Sequence, residues 1–64
     1  MQRIVIGSRW QGTLYDRPAV VQVRDVIDYG NDCLEIHFGR HGEDTTYGRM
    51  LAEFLERFKE ITNA

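Results

Sequence analysis

The chain has 64 residues, with ten acidic and eight basic side chains and a formal net charge of −2 at pH 7. This length predicts one small domain over residues 1–64. Hydrophobic residues make up 42% and charged residues 28%, a balance that excludes an intrinsically disordered chain. A domain of this size hides only about 60% of its unfolded surface, which disfavours a self-contained monomeric enzyme with a deep pocket.

Three features of the sequence predict the cellular compartment. The apolar runs are far too short for a membrane span, and the N-terminus lacks the apolar stretch of a signal peptide. The single cysteine, Cys33, allows no internal disulfide and agrees with a reducing environment. We therefore expect a cytoplasmic protein with no membrane contact.

The first strands are predicted from short β-rich runs. Residues 4–6 and 9–15 predict a split first strand, since Gly7-Ser8 or Gly12 would allow a bend or bulge. Pro18 lacks a backbone donor and has a fixed φ, so residues 16–18 predict the turn into the next strand. That strand covers residues 19–26. Its alternation places Ala19, Val21 and Val23 on one face and Val20, Gln22 and Arg24 on the other.

Two hairpins are expected next. Tyr29-Gly30-Asn31-Asp32 contains a Gly-Asn pair between two β-rich runs, which is typical of a tight turn of the primed type. The third strand, residues 33–38, places Leu34, Ile36 and Phe38 towards the core. Residues 39–44 suit a second hairpin loop, followed by a fourth strand from Thr45 to about Met50.

From about residue 50 the spacing of the apolar residues changes from every second residue to nearly every fourth. Met50, Leu51, Phe54, Leu55, Phe58 and Ile61 lie within one arc of a helical projection. This predicts an amphipathic helix over residues 50–62, after strands that occupy about residues 3–50. No capping box marks its start.

These elements predict a fold that is mainly β with one C-terminal helix. Four or five short antiparallel strands in so small a chain favour a sheet that closes into a small SH3-like barrel, capped by the amphipathic helix. A twisted sheet of three or four strands with the helix across one face is the alternative.

The order of these features resembles short phage-borne and prophage-borne proteins of unknown function with SH3-like barrels. Their pattern is a Gly-x-x-Trp element, a Val-rich strand, a hairpin and a closing Phe-x-x-x-Phe helix. In this chain the matching stretches are 7–10, 20–23, 29–32 and 54–58. The resemblance implies the barrel fold and an origin in a mobile element, and it implies no activity.

A second resemblance is to the plasmid-borne dihydrofolate reductases built from SH3-like subunits. Trp10-Gln11-Gly12 is similar to a stretch of those enzymes. Their catalytic strand motif is Val-Gln-Ile-Tyr, whereas Val21-Gln22-Val23-Arg24 stands on an earlier strand and lacks the tyrosine. The resemblance implies an enzyme formed only at a pore shared by several subunits.

Candidate chemistry is sparse. Cys33, Glu35 and His37 share one face of the third strand, and His41 follows in the loop, but structural zinc usually needs four ligands in paired elements. We expect no metal site, no cofactor and no catalytic constellation, because neither a nucleophile triad nor a phosphate-binding loop is present.

The preferred binding surface combines aromatic and arginine side chains near the first strands. Exposed aromatic rings beside arginines bind peptides or stack on bases in small barrels. The alternative is that Trp10 is simply the largest core side chain. The predicted surface consists of Trp10, Tyr15, Arg9, Arg17 and Arg24.

The helical stripe has two interpretations. It either packs on its own barrel or forms a two-fold interface in a homodimer. The candidate residues for self-association are Phe54, Leu55, Phe58 and Ile61.

These observations predict a non-catalytic binding module, a mobile-element accessory protein that acts through protein-protein contacts. The first alternative is a nucleic-acid-binding barrel that uses Trp10, Tyr15 and arginines including Arg40. The second is the oligomeric pore enzyme.

Overall fold

A computed structural model of the protein describes residues 4–61, which form five strands and one short helix. The radius of gyration, 11.2 Å, is close to the roughly 11 Å expected of a compact folded chain of this length. The elements are β1 (Arg9–Leu14), β2 (Arg17–Asp28), β3 (Leu34–Arg40), β4 (Tyr47–Met50), α1 (Leu51–Arg57) and β5 (Phe58–Glu60).

The strands make one antiparallel sheet in the order β4-β3-β2-β1-β5. The long strand β2 joins its two halves, because residues 17–22 pair with β1 and residues 21–28 pair with β3. Pro18 lies where β2 has β1 as its neighbour and β3 has not yet begun to pair. A proline is tolerated there because its missing donor faces no partner strand. The predicted mainly β fold with one helix is confirmed. The expected closure of the sheet into a barrel is not found within residues 4–61, because β4 and β5 remain the two edges of the sheet.

Two turns of the primed type connect the first three strands. Tyr15 and Asp16, with φ of 51° and 61°, form the two-residue turn between Leu14 and Arg17. Asn31 and Asp32 take the same left-handed conformation in the second turn. The predicted hairpin between the second and third strands is thus confirmed, but its central pair is Asn31-Asp32 rather than the expected Gly30-Asn31. The turn expected at residues 16–18 lies one residue earlier.

A β-bulge interrupts β2 at Arg24, where the register with β3 shifts between Val23 and Asp25. A bulge adds one residue, so the alternation of inward and outward side chains is reversed beyond it. Val23 is buried and Val26 also packs against the core, although the two are an odd number of positions apart. Asp25 points outward and its Oδ1 accepts a hydrogen bond of 2.9 Å from the Val26 N–H.

The interior is rich in aromatic rings. Phe54 from α1 lies 5.0 Å from Trp10, 5.1 Å from Phe38 and 5.0 Å from Phe58 between ring centroids. Of the predicted core residues of β3, Ile36 and Phe38 are fully buried and Leu34 is half-buried. The buried hydrophobic side chains are Trp10, Leu14, Val21, Val23, Ile36, Phe38, Phe54 and Phe58.

The C-terminal helix is shorter than predicted. It ends at Arg57, and Phe58 has extended backbone angles, with φ −129° and ψ 148°. Phe58–Glu60 pairs with β1 as β5, and the Ile61 N–H donates to the Arg9 carbonyl at 2.9 Å. The prediction of a helix over 50–62 is therefore wrong beyond Arg57, because the chain there pairs as a strand with the free edge of β1. Thr62 lies outside the described residues.

Gly12 permits this pairing. A Cβ at Gly12 would overlap the backbone carbonyl of Arg57 and the Phe58 ring. The glycine therefore lets the end of α1 and the start of β5 approach β1 closely, where any side chain would hold them apart.

The predicted first strand is also shorter. Only Arg9–Leu14 is strand, while residues 4–6 precede a turn in which the Ser8 N–H donates to the Val5 carbonyl at 3.0 Å. Arg3, where the strand region was predicted to begin, lies outside the described residues. In residues 4–61 no helix has the length and apolar character needed to cross a bilayer.

Candidate functional site

Trp10 does not belong to the surface. Only 1% of the residue is exposed, its ring stands edge-on against Phe54, and its Nε1–H donates to the Ser8 Oγ at 2.9 Å. An indole that is buried with its one donor satisfied is a core group. The prediction of Trp10 as a binding residue is wrong, and its alternative as the largest core side chain is confirmed.

Arg24 is engaged inside the molecule. The bulge directs its guanidinium over Gly39 and into the β3–β4 loop. Its Nη1 donates to the Asp44 and Thr45 carbonyls and to the Thr46 hydroxyl, and its Nη2 donates to the Arg40 and Glu43 carbonyls. Arg24 therefore positions this loop and is not free to meet a partner, in contrast to the prediction. Arg9 and Arg17 are exposed as expected.

The helical stripe is divided between the interior and its rim. Phe54 and Phe58 are 0% and 2% exposed, so they fill the core and offer no surface for self-association. Leu55 and Ile61 are half-buried. The four residues do not form the continuous apolar stripe that a helical interface between two copies would need.

Tyr15 is the predicted aromatic binding residue that the structure leaves available. It is 69% exposed and has a φ of 51°, in the left-handed region that bulky residues rarely adopt. Asn, Asp and Gly are the usual residues of such a turn, and the left-handed conformation costs roughly 1–2 kcal/mol for residues with a Cβ. Local strain at an exposed aromatic residue points to a role other than folding.

A groove lies beside Tyr15, and we call it the Tyr15 groove. It has a volume of about 650 Å³ and runs between the Tyr15-Asp16 turn and the edge strand β4 with the start of α1. Leu14, Phe38 and Phe58 lie beneath it. The other residues that line it are Thr13, Tyr15, Asp16, Glu35, Gly48, Arg49, Met50, Glu53 and Arg57.

Aromatic stacking supports one wall of the Tyr15 groove. The Tyr15 ring stands edge-on to Tyr47 at 5.8 Å, and Tyr47 lies 5.9 Å from the buried Phe38. On the other wall, the Arg49 Nε lies 3.3 Å from a Glu53 carboxylate oxygen, and the Arg49 Nη1 donates to the Gly48 carbonyl. The groove thus combines a supported aromatic surface with an ordered charge pair, a combination suited to binding.

A polar cluster occupies the outer face of β3. The Tyr29 hydroxyl donates to a Glu35 carboxylate oxygen at 2.9 Å, and the His37 Nε2 lies 3.1 Å from the same oxygen. These hydrogen bonds, that of His37 first, lower the pKa of the Glu35 carboxyl. The hydrogen bond and the negative charge of Glu35 raise the pKa of Tyr29.

Cys33, Glu35, His37 and His41 were weighed in the sequence analysis as possible metal ligands. Within residues 4–61 no three His, Cys, Asp or Glu side chains come close enough to hold an ion. Cys33 is exposed at the end of the β2–β3 turn.

Sequence reasoning missed the Tyr15 groove because it placed Tyr15 inside a strand. The available signal was Asp16, since Asp tolerates the left-handed conformation of a two-residue turn.

A scan against family models and searches of curated proteins and of solved structures found no match to this chain.

Proposed function

We propose that the protein is a non-catalytic binding module that acts through protein contacts at the Tyr15 groove, built on a small SH3-like open barrel. The barrel assignment is supported by the sheet order and by β2, which bends at its bulge to serve both halves of the sheet. The resemblance of the motif order to short phage-borne proteins supports an accessory role in a mobile element.

One observation carries the functional proposal, namely the exposed Tyr15 in a strained turn. The ring is 69% exposed and is held by Tyr47 rather than by the core. An asparagine would suit the turn better, so the tyrosine is explained by what its ring contacts outside the chain. Tyrosine is enriched at protein interfaces because it brings a large rigid surface with one polar tip.

A protein partner is favoured over a nucleic acid. The nucleic-acid alternative relied on Trp10 and Tyr15 as stacking rings and on Arg9, Arg17, Arg24 and Arg40 as phosphate contacts. Trp10 is buried and Arg24 is bound to the β3–β4 loop, whereas Arg9 and Arg17 are exposed. A net charge of −2 also opposes affinity from the phosphate backbone. The mixed charges of Arg49 and Glu53 on the groove wall suit the polar rim of a protein interface.

The test is the substitution Tyr15→Asn, with Tyr29→Asn as a matched control. Tyr29 is also exposed, at 63%, and does not itself line the Tyr15 groove, although its hydroxyl donates to Glu35, which does. In Tyr15→Asn the relief of backbone strain offsets the lost ring contact, so the free energy of unfolding should change by less than about 1 kcal/mol. Both variants should therefore fold.

Each protein is immobilised, incubated with lysate of the natural host, and its bound proteins are quantified by mass spectrometry. We expect a protein retained by the wild type and by Tyr29→Asn to be lost with Tyr15→Asn. Equal retention by Tyr15→Asn contradicts the proposal. Fluorescence anisotropy with single-stranded and duplex DNA at about 50 mM salt tests the nucleic-acid alternative. Tight binding of DNA in this assay would favour that alternative over the proposed protein partner.

A further inference from the structure

A second surface lies on the outer side of β5, β1 and the first part of β2. We call it the basic face and define it by Arg9, Gln11, Val20, Gln22 and Lys59. In the sheet register Gln11 pairs with Val20 on one side and with Lys59 on the other, and Arg9 pairs with Gln22. The neighbours Trp10 and Val21 are buried, so these five side chains share the opposite side of the sheet.

The basic face contains a groove with an apolar centre. The groove has a volume of about 540 Å³, and Val20 within it is 47% exposed. Pro18 and Ala19 extend the apolar part, and Arg57 and Lys59 stand at its rim with Glu56. An exposed valine between polar residues in a concave surface is suited to receiving one apolar side chain of a partner.

The charge of this face opposes that of the whole chain. The five residues include two cations and no acid, whereas the chain carries a net charge of −2. The ion pairs found within residues 4–61 are His37 with Glu35, Arg40 with Glu43, and Arg49 with Glu53. The charges of Arg9 and Lys59 are therefore not neutralised by an ion pair in the described part of the chain.

We propose that the basic face binds an extended acidic segment of a partner protein, with one apolar side chain placed on Val20. Acidic side chains on either side of that residue would meet Arg9 and Lys59, which supplies charge complementarity. A nucleic acid fits less well, because none of the five residues carries an aromatic ring on which bases could stack. This surface is separate from Tyr15 and so goes beyond the proposed function.

The experiment is a titration of the ¹⁵N-labelled full chain followed by amide chemical shifts. The probes are ten-residue peptides with one central Leu, Val or Phe flanked by Asp and Glu, and the comparison peptide replaces the acids with Lys. We expect the acidic peptides, at up to about 1 mM, to shift the amides of Gln11, Val20 and Lys59, and we expect the Lys peptide to leave them unchanged.

Lys59→Glu and Arg40→Glu make a matched pair, since both change the net charge equally and Arg40 lies on β3 in the other half of the sheet. Lys59→Glu should weaken binding by at least about fivefold, which corresponds to the loss of one exposed charge contact. Arg40→Glu should weaken it less than twofold, about the scale of a long-range charge effect screened by salt.

Three results would overturn the proposal. The first is the absence of shifts on the basic face with every acidic peptide, or shifts confined to the Tyr15 groove. The second is a single-stranded oligonucleotide that binds this face more tightly than any peptide. The third is a concentration-dependent mass in light scattering that Lys59→Glu abolishes, which would assign the face to a second copy of the chain. These three outcomes do not depend on whether Tyr15→Asn loses its protein partner.

Discussion

The two halves of the sheet contribute to one interior but carry different charges on the outer face of the sheet. In the half formed by β5, β1 and the start of β2, the outward side chains include Arg9 and Lys59. In the half formed by the end of β2, β3 and β4, they include Asp25 and Glu35. The bulge at Arg24 adds Asp25 to the outer face of the second half, because without it Asp25 would point inward and Val26 outward.

The two halves also differ in how they are held together. The first half depends on a close backbone approach at Gly12, where the end of α1 and the start of β5 meet β1. The second half depends on a side chain, because the Arg24 guanidinium ties the β3–β4 loop to β2. Substitutions at these two positions should therefore affect different parts of the molecule.

The largest effect is expected from Gly12→Ala. The added methyl group would overlap the Arg57 carbonyl, so β5 must move away from β1 at a cost of about 2–3 kcal/mol. That is a large part of the roughly 3–10 kcal/mol expected for a domain of this size. Chemical denaturation measures the change.

Gly48→Ala is the control for this substitution. A Cβ at Gly48 would find its nearest neighbour, a Glu35 carboxylate oxygen, at 3.6 Å, which is an ordinary contact distance. If Gly48→Ala destabilises the protein as much as Gly12→Ala, the close approach of β5 is not what makes Gly12 necessary.

A smaller effect is expected from Arg24→Lys in the second half. An ammonium group cannot replace the fan of hydrogen bonds that the guanidinium makes to the β3–β4 loop. We expect a loss of about 1–2 kcal/mol in unfolding free energy and faster hydrogen exchange in residues 41–46. The same change at Arg49, which bonds to its neighbour Gly48 and to the exposed Glu53, should cost less than about 0.5 kcal/mol. Equal losses would contradict the role assigned to Arg24.

The next effect concerns the acid side of the pH profile and also belongs to the second half. The pKa of Glu35 is lowered by its hydrogen bonds to His37 and Tyr29, so the folded state binds this proton less readily than the unfolded state. The resulting stabilisation is present above 4.5, the ordinary pKa of the carboxyl, and is lost as the pH falls through the lowered pKa. In Glu35→Gln the free energy of unfolding should therefore depend less on pH in this acidic range.

Glu56→Gln is the control, since no hydrogen bond or ion pair of Glu56 is found within residues 4–61. Thermal unfolding between pH 3 and 7, about the range in which carboxylates titrate, measures both variants. An equal change in the two profiles would show that Glu35 is not specifically coupled to its neighbours.

The smallest effect is spectroscopic. The pKa of Tyr29 is raised from 10.0 by the hydrogen bond to Glu35 and by its charge, so the associated stabilisation is present below pH 10 and is lost as the pH rises through the raised value. Glu35→Gln removes the charge and should return this pKa towards 10. Absorbance of the phenolate is compared with that of Tyr29→Phe to isolate this one group; an unchanged titration in Glu35→Gln would exclude the contact.

Local patterns were sufficient for the central part of the fold. The alternation of residues 33–38 placed Ile36 and Phe38 in the core, and the Gly-Asn signal indicated the hairpin, as found. Both are short-range signals, in which neighbouring residues settle the structure. The helical spacing of Phe54 and Phe58 left open whether they pack on their own core or on a second copy, and the structure buries both in the core of the chain.

Long-range pairing was beyond such reasoning. Phe58-Lys59-Glu60 continues the helical pattern and lacks β-branched residues, so its strand depends on an edge offered by β1, more than forty positions earlier. The Arg24 bulge has no glycine or proline to mark it. For the same reason Arg24 was mistaken for a surface residue, while Tyr15 was correctly counted among the exposed ones.

The burial of Trp10 is the most direct test of this structure. It places the indole in the interior that the two halves of the sheet share, and it leaves Tyr15 as the exposed aromatic residue. Trp10 is the only tryptophan in the chain, so its fluorescence reports one site. We expect blue-shifted emission that acrylamide quenches weakly in the native protein, with a red shift and strong quenching on unfolding. Native emission and quenching equal to those of the denatured chain would place Trp10 in solvent and contradict the account.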